Sequence, residues 1–161
     1  MKRLPLSMMT KLICDIIARL DGRTLSVAES CTGGMIGSLI TAVPGSSRVF
    51  AGGIISYTNA VKASVLGVPE DLLSREGAVS APVAEAMATG VRKLIGSDFA
   101  ISVTGLAGPG GDAFGNPVGT VYVGFANKTE TYFRKFCFSG DRESVRCQAS
   151  EAALCLLLEK I

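Results

Sequence analysis

Residues 45–62, GSSRVFAGGIISYTNAVK, bring together four side chains able to do chemistry: Ser46 and Ser47 in a Gly-Ser turn, Tyr57 at the end of a β-rich run, and Lys62 just beyond it. A serine hydroxyl is a poor nucleophile until a base takes its proton. The chain has no histidine, which excludes Ser-His and Cys-His arrangements and leaves Lys, Tyr, Asp, Glu or Cys to move protons. Asn59 is a plausible cap for a short helix ending at Gly67, so Lys62 falls in its first turn, where the helix dipole and burial both favour the neutral amine. Serine-lysine pairs are one variant of the triad logic. A solvated lysine beside a Gly-Ser turn is the competing reading, and spacing alone does not establish contact. Tyr57 could orient Lys62 or relay a proton, or be an aromatic at a sheet edge.

Three further stretches carry residues of interest. AESCTGG, residues 28–34, lies where a buried strand gives way to a helix, and such a helix start offers backbone N–H groups to an anion or polar ligand. The alternative is that Ser30 or Thr32 simply caps that helix. Cys31 in this turn is a rival nucleophile. The glycine-rich segment 103–120, VTGLAGPGGDAFGNPVGT, matches neither nucleotide-binding fingerprint, but its length favours a ligand loop and its amides suit a phosphate or an oxyanion. SGDRESVRCQ places Arg142 and Arg146 one turn apart near the start of the last helix, where arginine and helix N-terminus together suit phosphate; an exposed basic face is the alternative.

The elements that must position these residues can be read from periodicity. Met9, Leu12, Ile13, Ile16, Ile17 and Leu20 recur at helical spacing, and the charges among them argue against a signal peptide. RTLSVAE reads as a strand running into the helix SCTGGMIGSLITAV, and FAGGIISYT as a second strand. Ser80 with Pro82 starts a longer helix closed by Gly96. DFAISVTG and VGTVYVGFAN are the clearest strands, and TETYFRKFCFSG forms a hairpin with its predecessor, so at least one pairing is antiparallel. The last helix starts near Asp141 with Val145, Ala149, Ala152, Ala153, Leu156 and Leu157 inward. The expected fold is a three-layer α/β/α sandwich with a mixed, mainly parallel β-sheet, and the 161 residues suit a single domain, 1–161.

Composition sets outer limits. With 48% hydrophobic and 19% charged residues but no unbroken apolar stretch of membrane length, the chain reads as soluble, without a membrane partner. The five scattered cysteines form no Cys-x-x-Cys pair and suit reduced thiols in a cytoplasm. A net charge of +2 without a basic run gives no reason to expect nucleic acid as a partner.

Taken in order, AESCTGG, PGSSRVFAGGIISYTNAVK, SVTGLAGPGG with PVGTVYVG, and GDRESVRCQA resemble the CinA C-terminal domain family, over nearly the whole chain from about Leu12. Members of that family include nicotinamide mononucleotide deamidases, so the resemblance implies hydrolysis of the nicotinamide amide of nicotinamide mononucleotide to nicotinic acid mononucleotide and ammonia in pyridine-nucleotide salvage. In many bacteria the domain is fused behind a molybdopterin-binding-like domain, and this chain looks like the stand-alone form. Carried onto this sequence, the family pattern implies Ser47 as nucleophile, Lys62 as base and Tyr57 as helper. It implies phosphate contacts from Arg142 or Arg146 and the glycine-rich loop with Thr104, Gly105 and Gly108. Glu29, Thr32, Gly33 and Ser46 then complete the substrate side. No metal or cofactor is implied, and a homo-oligomer is. The rival readings are a non-catalytic nucleotide-binding regulatory module linked to competence or DNA damage, and a Cys31-dependent amidase.

Overall fold

The computed structural model describes residues 5–161. In chain order the elements are α1 (Leu6–Leu20), β1 (Leu25–Glu29), α2 (Met35–Thr41), a 3-10 turn at Ser46–Arg48, β2 (Phe50–Ile55), α3 (Asn59–Leu66), α4 (Glu70–Glu76), α5 (Ala81–Ile95), β3 (Phe99–Gly105), β4 (Thr120–Ala126), β5 (Thr131–Cys137) and α6 (Arg142–Lys160). The five strands form one sheet in the order β2-β1-β3-β4-β5. β1 pairs parallel with both β2 and β3, whereas β3–β4 and β4–β5 are antiparallel. The sheet is therefore mixed, with helices on both faces, as the sequence predicts.

The side-chain period of two in a strand sorts residues between the faces. Leu25 and Val27 of β1, Phe99, Ile101 and Val103 of β3, and Val121, Val123 and Phe125 of β4 share one core with the predicted stripe of α1, with Ile36 and Ile40 of α2, and with α6. Among the alternate residues, those that face α3, α4 and α5 at the centre of the sheet are small: Ala28, Ala100, Ser102 and Gly124. Small side chains let α5 lie close to the sheet. Ser102 Oγ donates to the Ala84 carbonyl, and a Cβ on Gly124 would run into that same carbonyl. Gly90 of α5 likewise lies against the Leu66 carbonyl, which seats α3 tightly beside α5. These two close approaches carry Lys62, on α3, in over the carboxyl ends of the parallel strands.

The caps refine the sequence reading. Thr58, not Asn59, caps α3, its side chain accepting from Val61 N, and Gly67 ends the helix in the left-handed region. Ser80 occupies the N-cap of α5 but donates its hydroxyl to the Gly77 carbonyl instead of capping. Asp141 caps α6 through Ser144 N. α2 is shorter than predicted, because residues 31–34 form a turn before it. No helix among the described residues is long and apolar enough to cross a membrane.

Candidate active site

β1, β2 and β3 run in one direction, and the crevice beyond their carboxyl ends is where ligands bind in open α/β sheets. Here Ser30 follows β1, Ser56 and Tyr57 follow β2, and Thr104 and Gly105 end β3. Ladder bonds continue past the strands: Ser30 N donates to Val103 O at 3.0 Å and Ser56 N to Glu29 O at 2.8 Å. Ser30 continues the parity of Ser26 and Ala28, so its side chain emerges on the α3–α5 side, the side that also receives Thr104. Lys62 arrives on that side from α3.

Lys62 is 1% exposed. Its Nζ donates to Ser30 Oγ at 3.1 Å, to the Ser56 carbonyl at 2.8 Å and to the Tyr57 carbonyl at 3.4 Å. Three acceptors match the three protons of an ammonium. No carboxylate is among them, and burial lowers the Lys62 pKa from 10.5 to about 8. An amine with that pKa exists in both protonation states near neutral pH, as a general base requires. Cys31 is the reverse case: burial pushes its thiol up to about 11, so it stays protonated and a weak nucleophile.

Ser30, Cys31, Tyr57, Lys62, Thr104 and Arg142 line part of a pocket of about 260 Å³ that the glycine-rich loop closes on one side. Its charged lining residues are Lys62 and Arg142, with no aspartate or glutamate. Arg142 donates to the Gly108 carbonyl at 2.7 Å and to Tyr57 Oη at 3.0 Å, bridging the pocket between the loop and the β2–α3 connection.

A family model of the CinA C-terminal domain matches residues 8–161. The chain belongs to the CinA C-terminal domain family. A CinA-like protein of Synechococcus sp. (strain CC9311) is 66% identical over 102 residues, 63% of this chain and 24% of that protein. A putative competence-damage inducible protein of Desulforudis audaxviator (strain MP104C) is 47% identical over 144 residues, 89% of this chain and 35% of that protein. The chain thus spans roughly a quarter to a third of these curated relatives. The crystal structure of a competence-damaged protein (CinA) superfamily protein from Escherichia coli superimposes with a TM-score of 0.94 at 33% identity, covering 100% of this chain and 95% of that one.

In this CinA domain the structure gathers some of the sequence-predicted site residues and separates others. Lys62, Tyr57, Thr104, Gly105, Gly108 and Arg142 all meet at the pocket. Ser46 and Ser47 do not. They form the 3-10 turn before β2, whereas Lys62 reaches back to the residues after it. Six strand residues at about 3.3 Å each put roughly 20 Å between the two ends. The serine hydroxyl bonded to Lys62 is that of Ser30, which sequence reasoning weighed only as a cap. Tyr57 meets Lys62 through its carbonyl, and its hydroxyl partners Arg142. Thr104 Oγ1 donates to the Ala78 carbonyl at 2.7 Å.

The remaining predicted residues shape the turn that carries Ser30. Glu29 is 1% exposed, and its carboxylate accepts from the amides of Gly34, Ile36 and Gly37. The start of α2 is therefore closed by the chain's own anion and is not open to a ligand. Arg146 donates to the carbonyls of Cys31 at 3.0 Å and Thr32 at 2.9 Å, with Gly33 beside its guanidinium. Thr32 is buried and its hydroxyl has no hydrogen-bond partner among the described residues. The geometry separates the two arginines: Arg142 lines the pocket and Arg146 ties the turn.

Proposed function

We propose that this CinA domain is an amidohydrolase in which Ser30 is the nucleophile and Lys62 its base, acting on nicotinamide mononucleotide. The observation that carries this reading is the 3.1 Å contact between Lys62 Nζ and Ser30 Oγ, on a lysine that burial holds at a pKa of about 8. The neutral amine takes the Ser30 proton as Oγ bonds to the amide carbon, and the carbonyl oxygen becomes an oxyanion. The peptide N–H groups of Cys31 and Thr32, directly after Ser30, are the donors we assign to that oxyanion. Neither donates to a backbone carbonyl in the turns and loops of the described residues. As the C–N bond breaks, the Lys62 ammonium protonates the departing nitrogen to ammonia. Water then attacks the Ser30 ester, with Lys62 again taking a proton, and releases the carboxylate product and the serine.

Charge supports an anionic amide as substrate. A pocket with two cationic side chains and no carboxylate favours a ligand that carries a phosphate. Arg142, at the mouth, pairs with no carboxylate among the described residues and is assigned to the phosphate, with the glycine-rich loop and the Thr104–Gly105 strand end beside it. The test is ammonia release from nicotinamide mononucleotide by wild type, Ser30→Ala, Lys62→Ala and Ser47→Ala. Loss of at least ~10³-fold is expected for the first two, and retention within about twofold for Ser47→Ala, a substitution away from any buried network. An active Ser30→Ala enzyme would exclude the dyad. A folded wild type that releases no ammonia would exclude this substrate.

A further inference from the structure

We infer that Glu29 is a positioning residue for the Ser30–Lys62 pair: its carboxylate, capping α2, fixes the turn that carries Ser30, and its main chain holds the segment that binds Lys62, so both partners share one anchor. The inference rests on the proposed dyad. Helix N-termini expose amides that a nearby serine or threonine normally satisfies. At α2 none does so. Gly34, at the N-cap, has no side chain to offer, the Thr32 hydroxyl has no partner, and Ser30 Oγ is engaged by Lys62. The carboxylate of Glu29 takes over, with Oε2 accepting from Gly34 N at 3.0 Å and Ile36 N at 3.1 Å, and Oε1 from Gly37 N at 2.9 Å.

Strand parity makes this possible. Glu29 and Ser30 are consecutive, so their side chains leave the sheet on opposite faces, one toward α2 and the other toward α3. The main chain of Glu29 links the other half of the pair, because its carbonyl accepts from Ser56 N at 2.8 Å and the Ser56 carbonyl accepts from Lys62 Nζ at 2.8 Å. A single buried residue is thus bonded to the turn that carries the nucleophile and to the segment that holds the base. Removing its charge weakens the three amide bonds that fix the start of α2, so the turn at residues 30–34 that carries Ser30 loses its anchor. A displacement of about 1 Å at a reacting atom can lower a rate by ~10²-fold.

Glu29→Gln and Glu29→Asp are compared with wild type and Ser30→Ala for ammonia release from nicotinamide mononucleotide across pH, with thermal unfolding alongside. For folded Glu29→Gln the expected result is a kcat lower by ~10- to 100-fold, KM within about threefold, and an acid limb of the pH profile where wild type has it. Glu29→Asp, one methylene too short to reach all three amides, is expected to lower kcat in the same way. An unchanged kcat in both variants overturns the inference. So does an acid limb displaced toward that of an ordinary lysine, which would mean that the substitution had opened the pocket to water. Failure of both variants to fold also overturns it, leaving Glu29 a structural cap. If Ser30→Ala retains activity, the dyad itself falls, an outcome separate from any result at Glu29.

Discussion

Substituting Lys62 by methionine separates what the buried amine does for chemistry from what it costs the fold. The folded-state pKa is about 8 and the ordinary value 10.5, so between those pH values the unfolded chain binds a proton that the folded protein does not. Stability therefore rises with pH in that window. Below pH ~8 both states are protonated and above ~10.5 neither is, so the slope vanishes on either side. At ~1.4 kcal/mol per tenfold change in proton affinity, the wild type should gain about 3 kcal/mol across the window. Lys62→Met lacks this gain. Groups that do not interact with Lys62 titrate alike in both proteins and cancel. Cys31, whose raised pKa gives the opposite slope, is held lower by the Lys62 charge, so its loss of stability with pH is slightly larger in Lys62→Met and adds to the difference in the same direction. Urea unfolding of the two proteins at pH 7 and pH 10 reads the difference directly. Lys62→Met should be favoured at pH 7 relative to pH 10 by about 2–3 kcal/mol, and it should have no amidase activity at either. The wild-type kcat/KM should rise through an apparent pKa near 8 as the base loses its proton. Parallel stability curves, or an acid limb near that of an exposed lysine, would refute a desolvated Lys62.

Two substitutions test the neighbouring structure. Arg142→Ala removes the cation assigned to the substrate phosphate, and with charge-assisted bonds worth ~1.5–3 kcal/mol, KM should rise ~10- to 100-fold with kcat little changed; an unchanged KM in steady-state kinetics would remove Arg142 from the phosphate site. Gly124→Ala places a Cβ against the Ala84 carbonyl and should lower stability by ~1–3 kcal/mol, about 2–10 °C in Tm; an unaltered calorimetric Tm would mean that α5 does not lie as close to the sheet as described.

Most of the architecture was legible because periodicity reports burial, and burial decides which residues form elements. The stripe of α1, the inward residues of α6 and the β4–β5 hairpin are all present as the patterns predict. The site was legible only in part, for a reason that lies in the topology. Ser47, Tyr57 and Lys62 are close in sequence, and proximity in sequence suggests a cluster. Yet β2 runs between them, and a strand is the element that carries its two ends furthest apart. Ser30 is separated from Lys62 by 32 positions and meets it only because β1 and β2 are parallel neighbours in register, Glu29 opposite Ile55. The residues after two such strands emerge at the same edge, so Ser30 and the Ser56–Tyr57 segment are brought together by pairing. A usable signal was nevertheless present. Ser30 directly follows a fully buried strand on the face lined by small residues, whereas Glu29, its last residue, is a carboxylate where an apolar core residue is expected. A buried acid beside a serine at a strand-to-helix turn must find donors, and the helix amides are the donors at hand. With the acid holding those amides, the turn at residues 30–34 is fixed and Ser30, on the opposite face, stays within reach of Lys62, which is the placement behind its proposed role as nucleophile.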